Sequence, residues 1–333
     1  MKYMKIGKSD VEASVLTLGA WALGGGSVWA GIEDAESIRT IHKALEVGIN
    51  TIDTAPIYNC GHSEDIVGQA IAGNRDKYII STKATFDWDT GVGRYCYDMY
   101  GHKMYVDHSY AGIKKDCENS LKRLGTDYID IYYTHNPAKD TSVYPVEETV
   151  RALMDLKKEG KIRSIGSSNV QISDVESYLA CGCEIDILQR KYSMFERSVE
   201  DTLLPLCEKY GMSFHAYSPL ERGLLTGTIS PDYVVPAGDA RDGQPWWKPE
   251  RLPHAIDFVN GLKGICDEYG ITHAELAVNF LRAKGDYINV ICGATHPHEI
   301  VANAHAVTAD LSAETVAEIR ARLAKLEAEY GNL

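Results

Sequence analysis

Eight short apolar runs, rich in β-branched residues, recur along this chain, and each is followed by a segment of helical period. The strand candidates are Val15 to Leu18, Thr51 to Asp53, Tyr78 to Thr82, Ile129 to Tyr133, Arg163 to Ser167, Ile185 to Gln189, Ser213 to Tyr217 and Ile288 to Cys292. Helices are expected at about residues 34 to 47, 62 to 73, 109 to 124, 146 to 159, 173 to 180, 198 to 210, 273 to 284 and 297 to 307. Several open on a capping residue, among them Asp34, Ser173 and Thr272. Eight alternations fit a closed (β/α)8 TIM barrel better than a doubly wound sheet, which would call for a switch point and a glycine fingerprint. Residues 1–333 are therefore expected to form a single barrel domain. Two additional helices, at about 253 to 269 and 312 to 329, join it, the first after a Gly, Pro and Trp-rich loop from Gly227 to Pro253.

Composition narrows the partners. Hydrophobic residues are 44% and charged residues 24%, which removes collagen-like, disordered and disulfide-scaffold classes. Lys plus Arg is 34 against 47 for Asp plus Glu, and the net charge of -13 would repel both phosphate backbones and anionic lipid. No nucleic acid and no membrane partner is expected; a small-molecule substrate is, with a homo-oligomer left open. The first residues, Met1 to Gly7, lack the apolar core of a signal peptide, so the expected compartment is cytoplasmic. Eight cysteines are scattered without framework spacing, as reduced thiols would be. Cys181-Gly182-Cys183 has no further ligand at metal spacing, so it is read as a helix-end loop and no metal is expected.

In a barrel, the C-terminal ends of the strands are where chemistry gathers. Three of those ends carry titratable groups: Asp53 ends the second run with Tyr58 five residues on, Lys83 follows the third, and His135 follows the fourth. Alone, Asp53 could cap a turn, Tyr58 could wall a pocket, and His135 could be a hydrogen-bonded core imidazole. Lys83 is harder to dismiss, because an ammonium near a barrel axis must be paired or functional. Together they make a proton-transfer unit. Lys83 is expected to lower the pKa of the Tyr58 phenol, Asp53 to pair with Lys83, and His135 to orient a substrate oxygen. That unit suits carbonyl reduction or alcohol oxidation, with the hydride drawn from a cofactor because no side chain supplies one.

At these residues the sequence resembles the aldo-keto reductase superfamily, over nearly its whole length. The resemblance is carried by Asp53-Thr54-Ala55-Pro56-Ile57-Tyr58 with Gly61-His62-Ser63-Glu64, Ser81-Thr82-Lys83, Asp130 to His135, and Gly160 to Asn169. It implies a catalytic tetrad of Asp53, Tyr58, Lys83 and His135, a nicotinamide cofactor across the barrel mouth, and no metal. It further implies that Ser168, Asn169 and Gln189 meet the carboxamide and that the Tyr217 ring stacks on nicotinamide. Ser218, Leu220 and Gly223 would meet the pyrophosphate, and Gly19, Ala20, Trp21 and Asp53 would complete the nearer cofactor wall. Gly293, Thr295, His296, Glu299 and Asn303 would hold the adenosine end. Relatives that prefer NADP place Lys or Arg in that last stretch, whereas Ile291 to His305 contains neither. NAD is therefore favoured slightly over NADP.

Departures from the family pattern bear on substrate. Asn59 follows the tyrosine where Gly is common, and Asn also accepts left-handed backbone. Asn136 follows the histidine where a bulky aromatic is common, giving that wall a hydrogen-bonding group. The loop Ala84 to Tyr110 mixes Phe86, Trp88, Tyr95, Tyr97, Tyr100 and Tyr105 with carboxylates, and Trp246-Trp247 lies in the loop after the seventh strand. Trp21, Trp88, Asn136, Trp246 and Trp247 are the expected substrate wall, for a small polar carbonyl or polyol such as a sugar, inositol or keto-sugar. Two other readings compete: a Schiff-base lyase using Lys83, which pairing with Asp53 argues against, and a nucleotide-retaining redox sensor like the related potassium-channel β subunits.

Overall fold

The computed structural model describes residues 1–29, 31–236 and 239–330. Positions 237 and 238 of the expected loop Gly227 to Pro253, and 331–333 of the expected domain, lie outside the described residues. A hairpin of β1 (Tyr3–Lys5) and β2 (Glu12–Ser14) precedes the barrel strands β3 (Leu16–Gly19), β4 (Thr51–Asp53), β5 (Ile79–Ala84), β9 (Ile129–Thr134), β10 (Ile162–Ser168), β11 (Ile185–Lys191), β12 (Ser213–Tyr217) and β13 (Ile288–Gly293). These eight pair in parallel and close on themselves, as the alternation predicts.

After them come α1 (Asp34–Glu46), α2 (His62–Ile71), α3 (Tyr110–Leu124), α4 (Val146–Lys158), α5 (Ile172–Ala180), α6 (Leu203–Tyr210), α9 (His273–Arg282) and α10 (Pro297–His305). α7 (Leu252–Gly261) and α8 (Lys263–Tyr269) fill the gap after β12, and α11 (Ala313–Tyr330) ends the described chain. The helix expected at 253 to 269 is thus two, broken at Leu262. The one expected at 198 to 210 begins only at Leu203, because Pro205 tolerates the first turn of a helix but would clash with the carbonyl of residue 201 inside one.

Caps differ in detail. Thr272 accepts from the Glu275 amide at 3.2 Å as expected, while Asp34 and Ser173 already lie inside their helices. At α5 the carboxylate of Asp174 instead accepts from the Gln171 amide at 2.8 Å. Cys181 and Gly182 follow α5 as the helix-end loop.

Two elements close the ends of the barrel. At the N-terminal end, Ile6, Val11 and Ala13 from the opening hairpin pack on Ile79, Ile131, Tyr133 and Ile187, sealing that mouth with apolar side chains. At the other end, residues expected as a loop form a three-stranded antiparallel sheet of β6 (Phe86–Trp88), β8 (His102–Val106) and β7 (Arg94–Met99). Met99 pairs with His102, and the two residues between, Tyr100 and Gly101, have φ of 52° and 80°. Two left-handed residues make the hairpin turn whose twist matches its strands. Phe86, Met104 and Val106 then pack on Ala55 and Ile57, tying this sheet to the loop after β4.

Candidate active site

Strand register brings the expected tetrad together. Asp53 pairs with Ser81 across β4 and β5, and Lys83 with Tyr133 across β5 and β9, so Asp53, Ser81 and Lys83 share the barrel interior. Tyr58 hangs over them from a loop whose next three residues, Asn59, Cys60 and Gly61, all have left-handed φ of 49°, 50° and 87°. The Asn59 amide fixes that turn by donating to the Gly24 carbonyl at 2.8 Å.

Lys83 is 1% exposed, and its three ammonium hydrogens have three acceptors: Asp53 Oδ1 at 2.7 Å, the Thr54 carbonyl at 2.8 Å and the Tyr58 hydroxyl oxygen at 3.2 Å. An ammonium cannot accept, so the Tyr58 oxygen receives that bond and its own hydrogen is left to point elsewhere. Asp53 Oδ2 accepts from Ser81 Oγ at 2.8 Å and from Gln189 Nε2 at 2.9 Å. Burial works against the Asp53 charge, but Lys83, His215 and these donors outweigh it and hold the carboxyl below its ordinary range. Burial likewise opposes the Lys83 charge, and Asp53 with Tyr58 raises the ammonium above its usual value.

Tyr58 corrects one expectation. Burial of the phenol pushes its pKa above 10, and the nearby Asp53 charge adds to this, so the opposing pull of Lys83 offsets the rise without reversing it. The hydroxyl stands protonated at neutral pH. His135 stands with its ring 6.1 Å from that of Tyr58 and 5.2 Å from Phe86, both edge-on. Burial and the Lys83 charge push its imidazole down to about 3, so it is neutral, and its Nδ1 has no partner among the described residues.

The remaining residues divide. Ser168 Oγ donates to Gln189 Oε1 at 3.3 Å, Asn169 Nδ2 donates to the His135 carbonyl at 2.9 Å, and Tyr217 donates to Asn169 Oδ1 at 2.8 Å. Ser168 and Gln189 are buried and Asn169 and Tyr217 half-buried beside the tetrad, with their polar groups held in place by these bonds. Ala20 is engaged internally, its N–H bonding to Asp53 O at 2.8 Å and its carbonyl accepting from Ser63 Oγ at 2.8 Å; Gly19 ends β3 beside it. Trp21 faces the site, with its ring 6.2 Å from Tyr58 and its indole donating to Tyr100 at 3.2 Å.

Trp246 and Trp247 do not face the site. They are 2% and 3% exposed, Trp246 stacked on Phe195 at 4.7 Å and Trp247 donating to the Glu221 carbonyl at 3.0 Å, because large apolar rings on the loop after β12 serve to pack it down. Trp88 lies against Gly61 under the Arg123 guanidinium, 5.5 Å from its ring. Asn136 is half-buried just past His135, its carbonyl bonded to His108. Trp29, edge-on to Trp21 at 5.4 Å, and Phe86 complete an aromatic wall that the sequence reading left out of the site. The glycine-rich stretch around Trp29 was the available signal.

Beyond Tyr217 the loop takes left-handed φ at Ser218 (55°), Glu221 (47°), Arg222 (57°) and Gly223 (97°). The Glu221 and Gly223 amides bond back to the Ser218 and Leu220 carbonyls at 3.1 and 2.9 Å, closing tight turns, and a Cβ at Gly223 would meet nothing within 4 Å. Arg222, half-buried, and Arg241, whose Nε donates to the Arg222 carbonyl at 3.3 Å, add positive charge there. Both were missed, although Arg222 sits between the named Leu220 and Gly223. At the start of α10, Glu299 accepts from the Thr295 and His296 amides at 2.7 and 3.0 Å, and His296 Nδ1 meets Glu36 at 3.2 Å. Asn303 donates to the Gly293 carbonyl at 3.2 Å. The Asn169 and Gln189 amides, the Tyr217 ring and the Arg222 and Arg241 guanidiniums are groups of the kinds that can meet a carboxamide, a nicotinamide ring and a pyrophosphate. Among the described residues no group of three or more His, Cys, Asp or Glu could hold a metal ion.

The fold is a closed barrel with Asp53, Tyr58, Lys83 and His135 gathered at the C-terminal rim, an arrangement suited to an oxidoreductase. The aldo/keto reductase family model matches residues 15–324, and the chain belongs to this family of NAD(P)-dependent oxidoreductases. It is 41% identical over 314 residues to the NADH-specific methylglyoxal reductase of Escherichia coli, covering 94% of this chain and 95% of that one. It is 36% identical to the aldo-keto reductase YhdN of Bacillus subtilis, covering 91% and 87%. The structure of a glycerol dehydrogenase from Gluconobacter oxydans superposes with a TM-score of 0.87 at 31% identity, covering 99% and 96%.

Proposed function

We propose that this protein, a single-domain cytoplasmic enzyme, interconverts a small polar carbonyl and its alcohol with NAD(H), using Tyr58 as the proton donor and acceptor. One observation carries the reading: Lys83 donates to the Tyr58 oxygen at 3.2 Å while fixed by Asp53 at 2.7 Å. The phenolic hydrogen is thereby directed away from Lys83 and available to a substrate oxygen, and the ammonium is in place for the phenolate that forms when the proton leaves. The neutral His135 imidazole orients that oxygen. Bound nicotinamide supplies the hydride, held at its carboxamide by Ser168, Asn169 and Gln189 and against its ring by Tyr217. Because Asp53 and Tyr58 keep Lys83 protonated, a Schiff-base role for it has no free amine to start from.

Trp21, Trp29 and Phe86 line the approach, and aromatic faces of this kind cover the C–H side of a short polyol or keto-sugar while Asn136 and His135 meet its oxygens. Two relatives, a methylglyoxal reductase and a glycerol dehydrogenase, act on three-carbon compounds, which supports a three-carbon substrate. NADH rather than NADPH is favoured by the carboxylates Glu36 and Glu299 beside His296, with the neighbouring guanidinium of Arg39 already bonded to Glu36. The test is turnover of NADH and of NADPH with methylglyoxal, glyceraldehyde, dihydroxyacetone and keto-sugars. Turnover with none of them, or with NADPH alone, would overturn the reading.

A further inference from the structure

The sheet of β6, β8 and β7 stands outside the barrel, yet it reaches the site at two points. From β6, Phe86 meets the His135 ring edge-on at 5.2 Å. From the turn between β7 and β8, Tyr100 meets Trp21, whose indole N–H donates to the Tyr100 hydroxyl at 3.2 Å. His135 and Trp21 are in turn the rings set against Tyr58, at 6.1 and 6.2 Å between centroids. One sheet therefore braces both aromatic neighbours of the Tyr58 ring.

An indole nitrogen only donates, so the Tyr100 oxygen accepts this bond and its own hydrogen turns elsewhere. No described residue accepts that hydrogen. Burial raises the phenol above its ordinary value of about 10, so the hydrogen is retained at neutral pH. The backbone gives a second sign. Tyr100 has a φ of 52° at a turn position where Asn or Gly fits with little strain, and a bulky residue does not. Its ring packs on the cluster of Ala55, Ile57, Phe86, Met104 and Val106, so the hydroxyl is held in place. A strained residue with a pinned side chain and an unspent donor beside the site has the marks of function rather than of turn formation.

We propose that Tyr100 is a specificity-determining residue: it fixes the Trp21 indole beside Tyr58 and offers its free hydroxyl hydrogen to a second oxygen of the substrate. Hydroxycarbonyls are then taken in preference to plain carbonyls of the same length. A donor that loses its water and finds no partner disfavours the analogue lacking that oxygen. This selectivity rests on carbonyl reduction at Tyr58 as proposed, and the test keeps the two apart.

Tyr100→Phe deletes one oxygen and keeps the ring and its packing. With NADH, the readout is the ratio of kcat/KM for glyceraldehyde to kcat/KM for propanal, two aldehydes of one length that differ in their hydroxyls. The ratio should fall about fivefold, the scale of one uncharged hydrogen bond, with most of the fall in the glyceraldehyde KM. Propanal turnover also reports that the variant is folded. Trp21→Phe removes the indole N–H, and in that background the effect of Tyr100→Phe on the ratio should shrink, because the two side chains act as a pair. A ratio within about twofold of wild type in Tyr100→Phe, whether both rates hold or both fall together, overturns the role of Tyr100 and leaves Tyr58 untouched. An undiminished effect in the Trp21→Phe background overturns the bracing of the indole. Full glyceraldehyde turnover in Tyr58→Phe overturns the proposed function and the selectivity with it.

Discussion

Lys83 and Asp53 come from adjacent strands and meet at 2.7 Å with side chains almost wholly removed from water, 1% and 4% exposed. Breaking such a pair leaves a buried carboxylate unmatched, which typically costs about 3 to 5 kcal/mol. Lys83→Met should therefore lose stability as well as turnover, and adding Asp53→Asn should recover part of the stability without the activity. Denaturant unfolding and turnover measured on the same samples separate the two effects. A Lys83→Met protein with full turnover would remove the ammonium from the mechanism.

Tyr58→Phe keeps the ring and deletes only the hydroxyl, to which Lys83 donates at 3.2 Å. On the proposed mechanism this deletes the general acid, so turnover should fall by about 100-fold or more, the usual scale for such a group. Nucleotide binding should survive, because Ser168, Asn169, Gln189 and the guanidiniums of Arg222 and Arg241 do not involve this oxygen. Fluorescence titration with NADH beside steady-state turnover makes the comparison; equal losses in both would point to a structural role for Tyr58.

The pH dependence follows from the same site. On the proposed mechanism reduction needs Tyr58 protonated, and burial raises its pKa above 10, so reductive kcat/KM should stay level through neutral pH and fall only on strongly alkaline titration. Oxidation needs the phenolate, and its rate should climb with pH toward the same value. His135 titrates at about 3, so no inflection is expected near the ordinary imidazole value of about 6.5. An inflection there that vanishes in His135→Gln would show the imidazole ionising in the working enzyme.

Much of this was legible in the sequence because strand period and spacing are local. The runs ending at Asp53 and preceding Lys83 and His135 fix which residues reach the open rim, and the barrel's closure does the rest. What escaped depends on packing between distant segments. The sheet of β6, β7 and β8 was hidden in aromatic composition, although Tyr100-Gly101 was a hairpin signal. Trp246 and Trp247 looked like pocket walls because their loop is long, yet Phe195 and the Glu221 carbonyl supply partners no spacing could reveal. The downward pull of Lys83 on the Tyr58 pKa is readable from motif spacing, whereas the depth of burial that outweighs it is not.

A second buried carboxyl lies behind the site. Asp116 on α3 is 6% exposed, and its Oδ2 accepts from the Thr85 amide at 2.8 Å, holding a β-branched residue with φ of 90° two positions past Lys83. Burial, only partly offset by that hydrogen bond, pushes this carboxyl up to about 8 from an ordinary 3.8. The folded protein therefore keeps a proton that the unfolded chain releases once pH exceeds about 4, so this group erodes stability as pH rises from about 4 to 8, with the full cost present above 8. Asn at this position keeps the carbonyl oxygen for Thr85 and cannot ionise. The stability advantage of Asp116→Asn over the wild type should be larger at pH 9 than at pH 5, by on the order of a few kcal/mol. Guanidinium unfolding of both proteins at the two pH values measures the difference; a gap that does not widen with pH would mean that Asp116 is already ionised in the native state at pH 5.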